Sequence, residues 1–441
     1  MDFFQVAIVI LFGLAVSDLI VGVSNDAVNF LNSSVGSRVA PRHVIMIIAS
    51  LGILAGVTFS SGMMEVARKG IFHPQFFTMP ELMVVFLAVM LTDIILLDLY
   101  NTFGLPTSTT VSIVFELLGA AVAVSMLKVI QAGHGLSQVL DYINSAKALA
   151  IIGGILLSVV VAFFVGAVIQ LLSRMLFTFD YQKRIRRYGA LWGGAALSMI
   201  TYFILIKGSK GASFITPETL AWIKGHTGFI LLISFVASAI LLQLLLWFTR
   251  VNILKVIVLV GTFALAMAFA ANDLVNFIGV PLAGLSAYQE ASATPDLLGT
   301  TMEALQQPVR SNTGFLLIAG IIMVVTLWVS RKARSVTKTE VRLGRQDEGF
   351  ERFESTVLSQ TIVRVVASLL ENTGRLTPKS FRSWVGRRLD RSKYRPVPLP
   401  DGTVPSFDLV RASVNLMVAA ALISLATSLK LPLSTTYVTF L

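Results

Sequence analysis

The sequence predicts an all-α polytopic membrane protein of two inverted-topology repeats, with broken or re-entrant helices at the membrane midplane. Three observations carry this reading. Apolar residues make up 55% of the 441 residues and charged residues 13%, at a mean hydropathy of +0.80; soluble domains carry about twice that charged fraction. Roughly ten apolar runs approach the ~20 residues a helix needs to cross a bilayer. Two short polar motifs also occur twice, in the same order. The first is Ser24-Asn25-Asp26-Ala27-Val28-Asn29-Phe30, repeated as Ala271-Asn272-Asp273-Leu274-Val275-Asn276-Phe277. The second is Leu105-Pro106-Thr107-Ser108-Thr109-Thr110, repeated as Leu431-Pro432-Leu433-Ser434-Thr435-Thr436.

The runs follow in order. Residues 3–23 open behind Met1-Asp2, without a basic n-region, and read as a retained span and not a cleavable signal. They lead into the first Asn-Asp motif. Runs 43–63 and 81–100 follow, and 105–128 begins on the first Ser-Thr-Thr motif. Run 147–172 ends at a basic cluster of Arg174, Lys183, Arg184, Arg186 and Arg187. Runs 188–206 and 227–248 connect the halves, 252–272 carries the second Asn-Asp motif, 313–330 precedes a polar insert, and 407–429 leads to the second Ser-Thr-Thr motif. Lipid offers no partner for backbone polar groups, and barrel-type alternation is missing, so these runs are helices. The expected organisation is a first membrane repeat (1–175), connecting helices (176–250), the first part of a second repeat (251–330), a basic cytoplasmic insert (331–406) and the continuation of the second repeat (407–441).

Charge placement orients the chain. The net charge is +11, and residues 331–405 hold 16 Lys/Arg against 8 Asp/Glu. Basic loops stay in the cytoplasm. With both basic clusters inside an inner or plasma membrane, the N-terminus falls outside. The first Asn-Asp helix then runs inward and the second outward, as in transporters with inverted repeats. The Asn-Asp motifs are offset by 247 residues and the Ser-Thr-Thr motifs by 326, and the difference of 79 matches the insert's length. Arg68 and Lys69 would lie outside, against the rule. Within the insert, Val357, Leu358, Ile362, Val365, Val366, Leu369 and Leu370 recur at helical spacing, suited to the inner membrane surface or to packing on neighbouring segments. Pro396, Pro398, Pro400 and Pro405 mark a linker back to the membrane.

The motifs carry the chemistry. Proline suits a first helical turn, and the Ser and Thr that follow present hydroxyls beside unpaired backbone N–H groups, where anions bind. Two such starts converging at the midplane could enclose a tetrahedral oxyanion. Those donors are neutral, so the anion's charge calls for bound cations. Asn25, Asp26 and Asn29, with Asn272, Asp273 and Asn276, offer carboxylate and amide oxygens to a hard cation. Gly22, Gly279 and Pro281 would permit unwound backbone beside them. A single motif of either kind would read as a helix cap or as interhelical glue; duplication tips the balance towards a site. Asp18, Asp93, Asp98 and Glu116 are intramembrane acids without an evident partner, and Asp18 stands two turns before Asp26. Cysteine is absent and the four histidines are scattered, which excludes disulfides and thiolate metal sites. No nucleophile–base constellation points to an enzyme.

These residues resemble the PiT family of inorganic phosphate transporters, whose halves each pair a GAND-like motif with a later P-x-S-x-T motif. The resemblance covers both membrane halves but not the insert. It implies cation-coupled symport of inorganic phosphate by alternating access, with no cofactor beyond a coupling sodium ion or proton. By position, Ser108, Thr109, Thr110, Ser434, Thr435 and Thr436 would bind phosphate. Asn25, Asp26, Asn272 and Asp273 would serve the cation and the phosphate. Animal members carry an intramembrane glutamate in each half, where Gly52 and Leu416 stand here. The chain ends at Leu441, soon after the second Ser-Thr-Thr motif, so the second half reads as a fragment lacking its closing helices. The partners expected are phosphate, the coupling ion and the lipid bilayer, with no nucleic acid and a homo-oligomer left open. The alternatives are the same architecture carrying sulfate or metal-phosphate, and a membrane enzyme acting on phosphorylated lipid.

Overall fold

The computed structural model describes residues 3–58, 70–211, 216–249, 251–306, 313–346, 354–390, 392, 404–428 and 433–440. Those residues are almost wholly helical. The first half comprises α1 (Phe3–Asp26), α2 (Val28–Gly36), α3 (Arg42–Thr58), α4 (Met79–Thr102), α5 (Thr109–Gln131), the short α6 (Val139–Tyr142) and α7 (Ser145–Phe177). Connecting helices follow as α8 (Gln182–Gly211), α9 (Pro217–Gly225) and α10 (Thr227–Phe248). The second half has α11 (Ile253–Ser292), α12 (Thr313–Val329), α13 (Arg331–Leu343), α14 (Val357–Leu376), α15 (Lys379–Arg388), α16 (Leu409–Ser428) and α17 (Thr435–Phe440).

Among the described residues, six helical stretches are long and apolar enough to cross a membrane, and a seventh is added if the bent pair α12–α13 counts as one. With their apolar outer faces they make the chain an integral membrane protein. Peripheral α10 exposes Ile233, Leu241, Trp247 and Phe248, as a lipid-facing helix must. The end of the 43–63 run beyond Thr58, with Arg68 and Lys69, lies outside the described residues, as do Pro396, Pro398 and Pro400.

Helix starts follow the capping rules. Thr78 and Glu81 form a capping box at α4 with Pro80 in the first turn. Asn144 caps α7 through the Lys147 N–H, and Asn252 caps α11 through the Leu254 N–H. The 40-residue α11, about 60 Å long at 1.5 Å per residue, is the spine. It packs against α1, α2, α3, α4, α5, α8 and α16 and contributes to both hydrophobic clusters of the core. The close α3–α11 approach needs glycine: a β-carbon at Gly52 or Gly56 would run into the carbonyl oxygens of Phe263 or Met267. Leu416 packs on Gly261 of the same helix. Gly52 and Leu416 are thus both helix-packing positions.

The Asn-Asp motifs suit either a shared helix face or a local break; the first shows a one-residue irregularity at Ala27, and the second lies inside the unbroken α11, where Pro281 withdraws one backbone donor without ending the helix. Two expectations are corrected. Pro106 was expected in the first helical turn. It lies instead in the extended approach, and Ser108 is the N-cap of α5. The insert expected over 331–406 is not one peripheral unit. After a 69° bend from α12, the polar, basic α13 packs against α1, α2 and α4, while α14 leaves Val357, Leu358, Ile362 and Val365 exposed.

Polar contacts tie α13 down. Ser330 caps it through the Ala333 N–H and meets Ser24 at 2.8 Å. Lys332 pairs with Asp98 at 2.5 Å. Asn32 donates to Glu340 Oε1 at 2.6 Å. Burial pushes the Glu340 carboxyl up to about 8, against the opposing effect of that hydrogen bond. Nearby, Arg174 at the end of α7 forms a buried ion pair with Asp408, just before α16, at 2.7 Å, and stacks on Phe179.

Candidate functional site

The two Ser-Thr-Thr motifs, 326 residues apart, meet. Ser108 Oγ and Ser434 Oγ are 2.7 Å apart, and both residues are buried. Each serine also caps its own helix: Ser108 Oγ accepts from the Val111 N–H at 3.3 Å and Ser434 Oγ from the Tyr437 N–H at 3.2 Å.

The threonines join this pair to the two aspartates in a matched pattern. Thr109 Oγ1 donates to Asp26 Oδ2 at 2.6 Å, and Thr435 Oγ1 donates to Asp273 Oδ2 at 2.8 Å. The next threonines cross over: Thr110 Oγ1 reaches Asp273 Oδ1 at 3.3 Å, and Thr436 Oγ1 reaches Asp26 Oδ1 at 3.5 Å. The trailing asparagines do the same, Asn29 Nδ2 donating to Thr436 Oγ1 at 3.1 Å and Asn276 Nδ2 to Thr110 Oγ1 at 3.2 Å. These contacts therefore match pairwise between the halves, and each carboxylate has a short hydroxyl contact from its own side and a longer one from the other.

The helices that carry the aspartates pack antiparallel about them. Gly22 on α1 lies against the Phe277 ring, and Phe30 on α2 lies against Phe269 at 5.3 Å between ring centroids. As one chain advances from 22 to 30, its partner retreats from 277 to 269. Asp26 and Asp273 are at the middle of that crossing. A β-carbon at Gly22 would enter the Phe277 ring, so glycine there sets the distance between the two carboxylates.

Asn25 has a different task. Its Nδ2 donates to Asn101 Oδ1 at 2.9 Å and to the Leu105 carbonyl at 3.0 Å, while its Oδ1 accepts from the Thr107 N–H at 2.8 Å. It clamps the extended turn that presents Ser108. Asn101 in turn donates to the Val21 carbonyl at 2.7 Å. Asn272 is buried at the matching position of α11; residues 429–432 lie outside the described residues.

The structure thus brings Asp26, Asn29, Asp273, Asn276, Ser108, Thr109, Thr110, Ser434, Thr435 and Thr436 into one network, with Asn25 in its supporting layer. Sequence reasoning missed Asn101, whose only signal was a lone amide ending an apolar run, and Thr439, which donates to Asn29 Oδ1 at 3.4 Å. Of the weaker acids, Asp98 has Lys332 as its partner, whereas Asp18, Asp93 and Glu116 gather elsewhere on the same helices.

Chemically, the centre offers six hydroxyls and two carboxylates with amide oxygens beside them, all held by helices and buried save for the half-buried Thr110. Such a set can replace the hydration shells of an oxyanion and of a hard cation side by side.

The profile of the phosphate transporter family matches residues 22–339, from just before the first Asn-Asp motif to the end region of α13. The chain belongs to this family. Relatives named as phosphate permeases include one from Pyrococcus abyssi, 28% identical over 265 residues (58% of this chain and 61% of the relative). Another, from Thermococcus kodakarensis, is 28% identical over 273 residues (60% and 63%). The match thus spans about three fifths of the length of these relatives. Among solved structures, one titled as the sodium-dependent phosphate transporter aligns over 99% of this chain and 88% of its own, with a TM-score of 0.65 and 18% identity. That likeness confirms the polytopic helical fold.

Proposed function

We propose that this phosphate transporter family member takes up inorganic phosphate by sodium-coupled symport with alternating access. Phosphate binds between Ser108, Thr109 and Thr110 and their counterparts Ser434, Thr435 and Thr436. Sodium binds at the carboxylate and amide oxygens of Asp26, Asn29, Asn272, Asp273 and Asn276, while Asn25, whose Oδ1 is held by the Thr107 N–H, supports the site from behind. The observation that supports this best is the Ser108–Ser434 contact, flanked on each side by a threonine-to-aspartate bond. The names of the relatives bring phosphate, and that of the solved neighbour brings sodium.

The geometry also supplies a coupling mechanism. A threonine hydroxyl has one proton to give. While Thr109 gives it to Asp26, it cannot give it to an anion. A cation on Asp26 takes over the stabilisation of that carboxylate and releases the hydroxyl for phosphate. Cation binding then raises phosphate affinity, and the effect is reciprocal by linkage. The same exchange operates at Thr435 and Asp273. The antiparallel crossing of α1–α2 and α11 fits an inverted pair of half-sites, with the N-terminus outside and the basic clusters in the cytoplasm of the inner or plasma membrane.

The test is radiolabelled phosphate uptake into proteoliposomes under an imposed inward sodium gradient, with Asp26→Asn and Asp273→Asn as controls. Sodium-stimulated uptake by the wild type and its loss in both variants is the expected result. Normal stimulated uptake by either variant would overturn the assignment.

A further inference from the structure

Three acids, Asp18 and Asp93 buried and Glu116 half-buried, take no part in the centre described above. Asp18 of α1, Asp93 of α4 and Glu116 of α5 converge where these helices pack together. Each is set along its helix from a residue of the central network: Asp18 from Asp26, Asp93 from Asn101, Glu116 from Thr109. The offset is about two turns, or roughly 10–12 Å at 1.5 Å per residue. The direction agrees in all three helices, so the acids form a second layer on the side of the α1 N-terminus.

Hydrogen-bond accounting fixes the state of this layer. Ser112 Oγ lies 2.6 Å from Asp93 Oδ1 and 2.6 Å from Glu116 Oε1. One hydroxyl carries one proton and can donate to only one of them, so the other carboxyl must bring its own proton to the contact. Asp18 is wholly buried and faces the Asp93 carboxyl, a contact that needs a proton of its own, and no other group among the described residues donates to its oxygens. An ionised carboxylate so placed carries a large desolvation cost. Among the described residues no base reaches the three. The charged groups of the surrounding elements are engaged elsewhere, Asp98 with Lys332, Lys128 with Glu81 and Glu340 with Asn32. The remaining neighbours are the acids Asp26 and, beyond it, Asp273. Among the described residues no three acids or histidines have the geometry to hold a metal ion, which favours a proton over a metal cation as occupant. The 247-residue offset of the Asn-Asp motifs puts Leu265 opposite Asp18, so this layer belongs to the first half and not to the duplicated centre.

We propose that Asp18, Asp93 and Glu116, bridged by Ser112, form a proton-binding site distinct from the Asn-Asp and Ser-Thr-Thr centre and linked to it along α1, α4 and α5. Protons shared among the three carboxyls neutralise the layer, and their release places negative charge two turns from Asp26.

Difference infrared spectroscopy of the protein in nanodiscs, without phosphate or sodium, tests this independently of transport. The wild type is expected to show a buried carboxylic-acid C=O band at neutral pH that disappears on alkalinisation. Asp18→Asn and Glu116→Gln, both isosteric, are expected to diminish it, while Asp26→Asn retains it. Absence of the band from the wild type, or its persistence unchanged in both layer variants, would overturn the proposal. So would its displacement by sodium at fixed pH, which would make the layer a metal-cation site. In proteoliposomes, Glu116→Gln should keep phosphate exchange but lose acceleration of net uptake by an inward proton gradient; equal acceleration in variant and wild type would refute the linkage. Should the wild type move no phosphate at all, the transport reading fails while the infrared result still stands.

Discussion

Replacing Thr109 by valine removes one hydroxyl and nearly nothing else, and it addresses the coupling mechanism directly. Thr109 Oγ1 lies 2.6 Å from Asp26 Oδ2, with both residues buried. A hydrogen bond to a charged group contributes about 1.5–3 kcal/mol, and contacting pairs show interaction energies of about 0.5–3 kcal/mol in double-mutant cycles. The cycle Thr109→Val with Asp26→Asn should therefore return about 2 kcal/mol of coupling in protein stability. The crossed contact of Thr436 with the same carboxylate is 3.5 Å long, past the usual O–H···O range, and its cycle should return less than about 0.5 kcal/mol. In the second half, Thr435 with Asp273 at 2.8 Å should behave like Thr109 with Asp26.

The functional consequence follows from the same hydroxyl. Once sodium occupies Asp26, the Thr109 proton is free for phosphate, and its loss should weaken phosphate binding by about 1.5–3 kcal/mol, roughly ten- to hundredfold in Kd. Without sodium the hydroxyl is engaged by Asp26, and the variant should differ much less from wild type. Calorimetric titration of phosphate into nanodisc-embedded protein, at low and saturating sodium, measures both numbers. If Thr109→Val weakens phosphate equally at both sodium levels, or at neither, the shared-proton account of coupling is wrong.

Three further perturbations separate the site from its support. Arg174→Met leaves Asp408 buried without its partner, which should cost about 3–5 kcal/mol of stability; a melting profile in detergent within experimental scatter of wild type would contradict it. Glu340 is held at about 8 against an ordinary 4.5. Between those values the unfolded chain has lost the proton and the folded chain keeps it, so stability should fall with rising pH by up to about 1.4 kcal/mol per unit and level off above the folded value. Glu340→Gln should remove that part of the slope, which unfolding at a series of pH values checks. Gly56→Leu forces a side chain against the Met267 carbonyl and should destabilise by about 1–3 kcal/mol or more, whereas the same change at Gly13, which has open space, should be nearly silent in the same melting assay.

Legibility in the sequence followed physical necessity. Helix positions were readable because lipid-spanning segments must be continuously apolar: runs 81–100, 147–172 and 227–248 lie within Met79–Thr102, Ser145–Phe177 and Thr227–Phe248. The network's members were readable because polar groups at that depth are rare and here came in pairs. Its bonding pattern was not readable, since nothing in the motifs says that Thr109 stays with Asp26 while Thr110 crosses to Asp273. The continuity of α11 through Gly279 and Pro281 escaped for a different reason. Those residues permit a break, but a helix buried on nearly every side has no alternative partner for its freed backbone groups. The embedded position of α13 was hidden by composition. Its basic residues read as solvated, while Ala333, Val336, Thr337 and Glu340 form the face that is buried.

The antiparallel crossing at Asp26 and Asp273 gives the two copies of each motif matched tasks. In a two-fold arrangement each half-site is completed by the other: Asn29 holds Thr436, and Asn276 holds Thr110. A change in one half therefore alters the donors that serve the carboxylate of the other. Elsewhere the halves differ: the 247-residue offset sets Leu265 against Asp18 and Phe269 against Gly22. At the second position Phe277 lies over Gly22, whereas the Phe269 ring meets Phe30 at 5.3 Å. The first difference has an electrostatic reason. A buried acid in each half would double the charge around two aspartates that already share a site, and a single titratable layer on one side gives the centre a direction that a perfectly two-fold arrangement lacks.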